Sequence, residues 1–150
     1  MDDTILLRLP EAEFAGLASQ ALKACREGQL LELATSPLAQ SSLVSACFLA
    51  DEPVSLDTRG RALTAVLAWA VERLRPAGEP QWMAYPWRMY LILYHFYLNG
   101  MRVSTLAEQM GVVEQTLYDA RPAAFSAVAG VLRQELAEPQ DAAHLLRQHP

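Results

Sequence analysis

The stretch from Val103 to Arg121, VSTLAEQMGVVEQTLYDAR, constrains the fold more than any other part of the chain. Leu106, Ala107 and Met110 fall at i, i+1 and i+4, Gly111 follows at once, and Val112, Thr116 and Leu117 open a second amphipathic pattern. That spacing predicts two helices joined by a glycine turn, a helix-turn-helix. Ala107 lets the second helix pack close, and Gly111 supplies the positive φ of the turn. Val112 and Leu117 pin the second helix while its opposite face stays free, the position from which a recognition helix reads.

The rest of the chain carries helical periods throughout. Pro10 with Glu11 and Glu13 opens a helix that runs through Phe14, Leu17, Ala18, Ala21, Leu22 and Cys25 and stops at Gly28. After the short apolar stretch Leu30, Leu31 and Leu33, Ser36 is placed to cap a helix with Pro37 in its first position. That helix carries Leu38, Leu43, Val44, Cys47 and Phe48 and ends near Asp51-Glu52-Pro53. Asp57 is placed to cap a long helix with Leu63, Val66, Leu67, Ala70, Val71 and Leu74 inward and Arg59, Arg61, Glu72, Arg73 and Arg75 outward, ended by Pro76 and Gly78. Pro76 to Pro86 reads as a linker.

From Pro86, WRMYLILYHFYL is apolar nearly all round, with Arg88 and His95 seven apart on one wet stripe. It predicts a buried central helix ending at Asn99-Gly100, too short and too charged for a membrane span. The aromatic row Trp87, Tyr90, Tyr94 and Tyr97 reads as core packing. Pro122 is expected to halt the recognition helix, and Phe125, Val128, Leu132 and Leu136 mark a further helix, with a polar tail beyond it. That last apolar row suits packing against the central helix or against a second copy of the chain. No segment has the alternation of a strand, so the expected class is all-α: an amino-terminal helical lobe over 1–80, a helix-turn-helix unit over 86–138 packed with it as one domain, and a tail over 139–150.

A chain of 150 residues, 52% apolar and 19% charged, is too hydrophobic for disorder. It is long enough to bury about 68–70% of its unfolded surface. Asp2 and Asp3 stand where a secretory leader would be basic, so the expected location is cytoplasmic. Cys25 and Cys47, among alanines and leucines, read as buried free thiols. His95, His144 and His149 stand on different elements without metal-ligand spacing, and Ser41, Ser42 and Ser45 have no neighbouring base. His95 reads as a partly buried hydrogen-bonding residue. No catalytic, metal or cofactor constellation emerges. The formal net charge of −5, with no stretch rich in bases, is unusual for an independent DNA binder.

The segment from about Trp87 to Leu136, YLILYHFYLNGMRVSTLAEQMGVVEQTLYDARPAAFSAVAGVLRQEL from Tyr90 on, resembles region 4 of bacterial sigma factors and related response-regulator output domains. SPLAQSSLV at 36 to 44 and RGRALTAVLAWAVERLRPAGEP at 59 to 80 extend the likeness. They are similar to an amino-terminal helical module that precedes nucleotide-binding signalling ATPases in bacterial multidomain regulators. The resemblance implies a regulatory role in transcription or signalling, with duplex DNA, a protein partner or a fused ATPase domain as its counterpart. Carried over residue by residue, Ser104 and Thr105 begin the support helix and reach phosphate, and Glu114, Gln115, Tyr118 and Arg121 face the major groove or its phosphates. Arg102 is a further phosphate candidate. The sequence departs from the family pattern in having Val113 at the usual small polar cap, Glu114 and Asp119 at usually basic positions, and Pro122 in the helix.

Two readings follow, a DNA-binding module and an interaction module in which the helix pair is a packing or partner surface. On the DNA reading, Arg102→Ala and Arg121→Ala lower affinity for every duplex while Gln115→Ala alters sequence preference. Equal binding by all three variants in a duplex titration would count against that docking.

Overall fold

The computed structural model describes residues 3–48 and 54–139. Among them there is no strand, and the all-α class is the observed one. Helices α1 (Asp3–Arg8), α2 (Glu11–Glu27) and α3 (Leu30–Thr35) are followed by a 3-10 turn (Pro37–Gln40), α4 (Ser42–Ser45) and α5 (Leu56–Glu72). A second 3-10 turn (Tyr85–Trp87) leads into α6 (Arg88–Leu91), which widens without a break into a π-helix (Ile92–Leu98); α7 (Val103–Met110) and α8 (Glu114–Ala137) complete the chain. No described helix is long and apolar enough to cross a membrane.

Local signals account for most boundaries. Gly28 ends α2 with φ 68°, its N–H bonding Cys25 O and the next N–H bonding Ala24 O, the paired arrangement that closes orphan carbonyls. Ser36 caps the first 3-10 turn as expected, but the single helix expected after it is broken in two. The reason is Ser41, fully buried: its Oγ donates to Leu38 O at 2.6 Å and accepts from Leu43 N at 3.3 Å, closing one turn and starting the next. The expected end of that segment, Asp51-Glu52-Pro53, lies outside the described residues. Ser55 rather than Asp57 caps α5, its Oγ accepting from Thr58 N, while Asp57 sits in the first turn 4.0 Å from Arg61. The helix also stops at Glu72, before Pro76.

The carboxy-terminal half corrects the sequence reading more sharply. Pro122 does not halt the recognition helix; α8 runs through it for 24 residues. Proline removes one N–H and costs about 3 kcal/mol in a helix interior. Beyond it, however, Val128 and Leu132 are fully buried and Leu136 nearly so, each worth about 1.5–3 kcal/mol, so continuing the helix wins. The bond that Pro122 cannot make would have ended on Tyr118 O; Arg121 Nε donates there instead, at 3.3 Å.

Helix α2 is the element shared by both halves. It packs on α3 on one side and on α8 and the π-helix on another, while α3 lies along α5. One continuous apolar cluster joins Phe14, Leu22, Leu33 and Leu67 to Leu93, Tyr97, Leu106 and Leu132. The row Val128, Leu132 and Leu136 is therefore buried within the chain rather than left for a second copy. Helix α1, which the sequence reading did not anticipate, is tied on by Arg133, whose Nη2 donates to Leu7 O and Leu9 O at 2.7 Å each.

The α3–α5 contact is close enough to exclude a methyl group. A Cβ on Gly60 would stand 2.6 Å from the backbone oxygen of Leu30. Alanine recovers about 1 kcal/mol of helix propensity, but overpacking against backbone costs about 1–3 kcal/mol. Gly60→Ala is expected to lower the urea midpoint with an unchanged m-value, a net loss of up to about 2 kcal/mol; a raised midpoint would refute the close approach.

Candidate recognition surface

The unit built by α7 and α8 begins at Arg102, whose extended backbone precedes α7 without a side-chain cap. Leu106, Ala107 and Met110 are buried, and the helix closes at Gly111 (φ 68°), with Gly111 N bonded to Glu108 O and Val112 N to Ala107 O. Val113 starts α8 without a side-chain cap and is 69% exposed. The turn is therefore the glycine turn the spacing predicts, stabilised by backbone alone.

Of the residues singled out in the sequence, Arg102, Ser104, Thr105, Glu114 and Gln115 are exposed, and Tyr118 and Arg121 are half-buried. Tyr118 and Arg121 pack toward the π-helix and α7: Ile92, Phe96, Val103, Leu106 and Leu117 line a crevice beside them of about 10 Å³. Two of the groups that would read bases already have partners. Gln115 Nε2 donates to Asp119 Oδ1 at 2.8 Å, and the Arg121 guanidinium lies 4.7 Å from the centre of the Tyr118 ring.

Behind this surface the aromatic row is core, as its spacing predicts, except at Tyr94, which is 37% exposed. Tyr90 Oη donates to Glu72 Oε2 at 3.1 Å; burial and that carboxylate push its phenol up to about 12. Burial likewise pushes the Tyr97 phenol up, with the nearby Arg121 guanidinium opposing it. Arg121 does not reach hydrogen-bonding geometry, and Tyr97 Oη has no hydrogen-bond partner among the described residues. Neither cysteine is in a disulfide, and both are half-buried rather than fully buried; Cys25, 3.8 Å from Thr64 Oγ1, is pushed up by burial and stays a thiol. No cluster of metal-ligating side chains occurs among the described residues, and His144 and His149 lie outside them.

The segment read as a linker is folded over this unit. Trp82 lies tilted against His95 with ring centroids 4.6 Å apart, and Met83 lies 3.6 Å from where a Cβ on Gly111 would stand. Aromatic contact, with Trp82 and edge-on with Tyr94, holds His95 in place of the expected hydrogen bond. Met83 and Tyr85 are 77% and 76% exposed, Met83 against the turn glycine and Tyr85 with Met89 lining a groove beside α8, an apolar exposure that the sequence reading missed. Its signal was the run WMAYPW, too apolar for a solvated linker.

Burial also lowers the His95 imidazole below its ordinary value of 6.5. The folded chain thus resists a proton that the unfolded chain accepts, and stability rises with pH through this window. On acidification from pH 7.5 to 5.5 the urea midpoint is expected to fall, and His95→Phe to flatten that fall; an equal fall in the variant would remove His95 as its source.

No protein-family model, no curated protein and no solved structure matches this chain.

Proposed function

We propose that the α7–α8 unit is the docking surface of a regulatory domain and that it receives a protein partner. The observation that carries this reading is the charge exposed by the unit. Glu108, Glu114 and Asp119 are exposed on α7 and α8 against one exposed base, Arg102, while Arg121 is folded onto Tyr118 and the Tyr118 carbonyl. Glu114 also occupies the first helical position of α8, where its carboxylate uses the favourable end of the helix dipole and repels phosphate. Because phosphate neutralisation supplies much of the affinity for DNA, a face of this sign works against the duplex. Protein interfaces place apolar and aromatic side chains at their centre, and exposed Met83 at the Gly111 turn and exposed Tyr85 and Met89 across from Ala120 of α8 are side chains of that kind.

A second reading, weak DNA binding within a larger regulator, draws on the openness of the same face. Ser104, Thr105 and Gln115 are exposed and no amino-terminal helix covers them. The two readings separate in a fluorescence-anisotropy titration with random-sequence duplex DNA at about 50 and 200 mM salt. The docking reading expects no saturable binding at either salt. Binding that weakens with a slope near −0.9 per phosphate contact, and that Arg102→Ala reduces, would overturn it in favour of DNA.

A further inference from the structure

The link from the π-helix to α7 runs from Asn99 to Arg102 and carries the chain's one asparagine, followed at once by glycine. Asn99 and Gly100 are both exposed. Asn99 N donates to Tyr94 O at 3.0 Å and Met101 N to His95 O at 2.8 Å, but the Gly100 N–H between them meets no acceptor among the described residues. The Asn99 carboxamide makes no hydrogen bond to them either. Gly100 has φ 70°, and a Cβ built on it would meet nothing within 4 Å. A primary amide thus stands in solvent beside a backbone nitrogen that neither a hydrogen bond nor a side chain shields.

We propose that Asn99 is a site of spontaneous covalent modification, where the carboxamide is lost through a succinimide and the link to α7 acquires an aspartate or an isoaspartate. The Gly100 nitrogen, its proton taken by solvent base, attacks Asn99 Cγ; the bond from Cγ to Nδ2 breaks and that nitrogen leaves as ammonia. Water then opens the five-membered ring. Attack at Cγ restores the ordinary backbone with an aspartate side chain, whereas attack at the Asn99 carbonyl carbon sends the main chain through Cβ and Cγ. Water is the only co-reactant, and nothing is oxidised or reduced. Ring closure requires the peptide plane to turn from the Asn99 ψ of −4° until the Gly100 nitrogen faces Cγ. Glycine allows that turn, while the bonds from Met101 N to His95 O and from Arg26 Nη1 to Met101 O resist it. The reaction therefore proceeds through local opening at the Arg26 contact. Both products place a carboxylate at a helix end whose dipole is already negative, and isoaspartate also adds a main-chain atom just before the Met101 carbonyl that Arg26 holds. The modification loosens the entry to α7, and isoaspartate loosens it more.

The full chain is held at pH 8 in buffer and in denaturing urea, and its tryptic peptide Met89–Arg102 is followed by mass spectrometry. The peptide is expected to gain about one dalton and to split into two products, of which the isoaspartate form accepts a methyl group from a protein-isoaspartate methyltransferase. The folded chain should react about ten-fold more slowly than the unfolded one, and Arg26→Ala should recover most of that difference. Asn99→Gln, at an exposed position, should abolish the gain because the larger ring closes far more slowly. Asn99→Asp supplies the charge without the extra atom, and should lower the urea midpoint less than the isoaspartate form does. No gain in buffer while the urea sample converts, a gain that persists in Asn99→Gln, or aspartate as the sole product would overturn the site. Equal rates in buffer and urea would overturn the control by Arg26. That comparison uses the unaltered chain, so it decides the matter whether or not Arg26→Ala folds.

Discussion

The entry of the chain into α7 is positioned by the guanidinium of Arg26. Its Nη1 donates to Phe96 O at 2.6 Å and to Met101 O at 3.0 Å, and its plane lies 3.8 Å from the centre of the Phe96 ring. The π-helix needs such a partner, because a helix leaves its last carbonyls without donors and here they end against the protein interior. Asn99 N and Met101 N close two more, on Tyr94 O and His95 O. A lysine could not serve as well, since only a planar fork stacks on a ring while donating to nearby carbonyls. The clamp joins the amino-terminal lobe to the residues that immediately precede α7, so the direction in which the recognition unit leaves the core is set by a contact made from α2.

Once α7 is placed, the character of its surface follows from how the neighbouring backbone is satisfied. Pro122 leaves Tyr118 O without its usual donor, Arg121 fills the vacancy, and a cation that would otherwise extend into solvent lies along its own helix. Glu108, Glu114 and Asp119 stay exposed, Asp119 while accepting from Gln115, so the acids of the unit face solvent more fully than Arg121 does. Meanwhile Trp82 anchors the 76–86 segment on His95, which holds Met83 and Tyr85 at the surface beside the turn. The withdrawal of Arg121 and the exposure of Met83 thus arise from two ordinary requirements, a donor for one carbonyl and a ring contact for one indole.

Much of the fold was legible in the sequence, and the reasons are local. Gly28 and Gly111 adopt the positive φ that their positions call for, and the inward row of α5 from Leu63 to Val71 follows the 3.6-residue period. The candidate site was legible in position but not in state. The sequence places Gln115, Tyr118 and Arg121 along α8, yet it does not disclose that Gln115 is bonded to Asp119 or that Arg121 turns back. Nor does it disclose that residues 82–89 form part of the same surface, because Trp82 and His95 meet only after the chain has folded.

The sequence by itself determined the all-helical class, the glycine turn between α7 and α8 and the excess of acid over base. Each of these depends on residues within a few positions of one another or on composition alone. Only the tertiary structure decided that α8 passes through Pro122, that α1 exists, and that Ser41 splits one helix into two. In each case a local preference was weighed against distant partners: apolar burial beyond the proline, the Arg133 bonds to α1, and Asp3 Oδ1 accepting from Ser42 N to help start α4. A local rule predicts such a site only when no long-range interaction exceeds the kilocalorie or few that the rule is worth, about the value of one buried leucine.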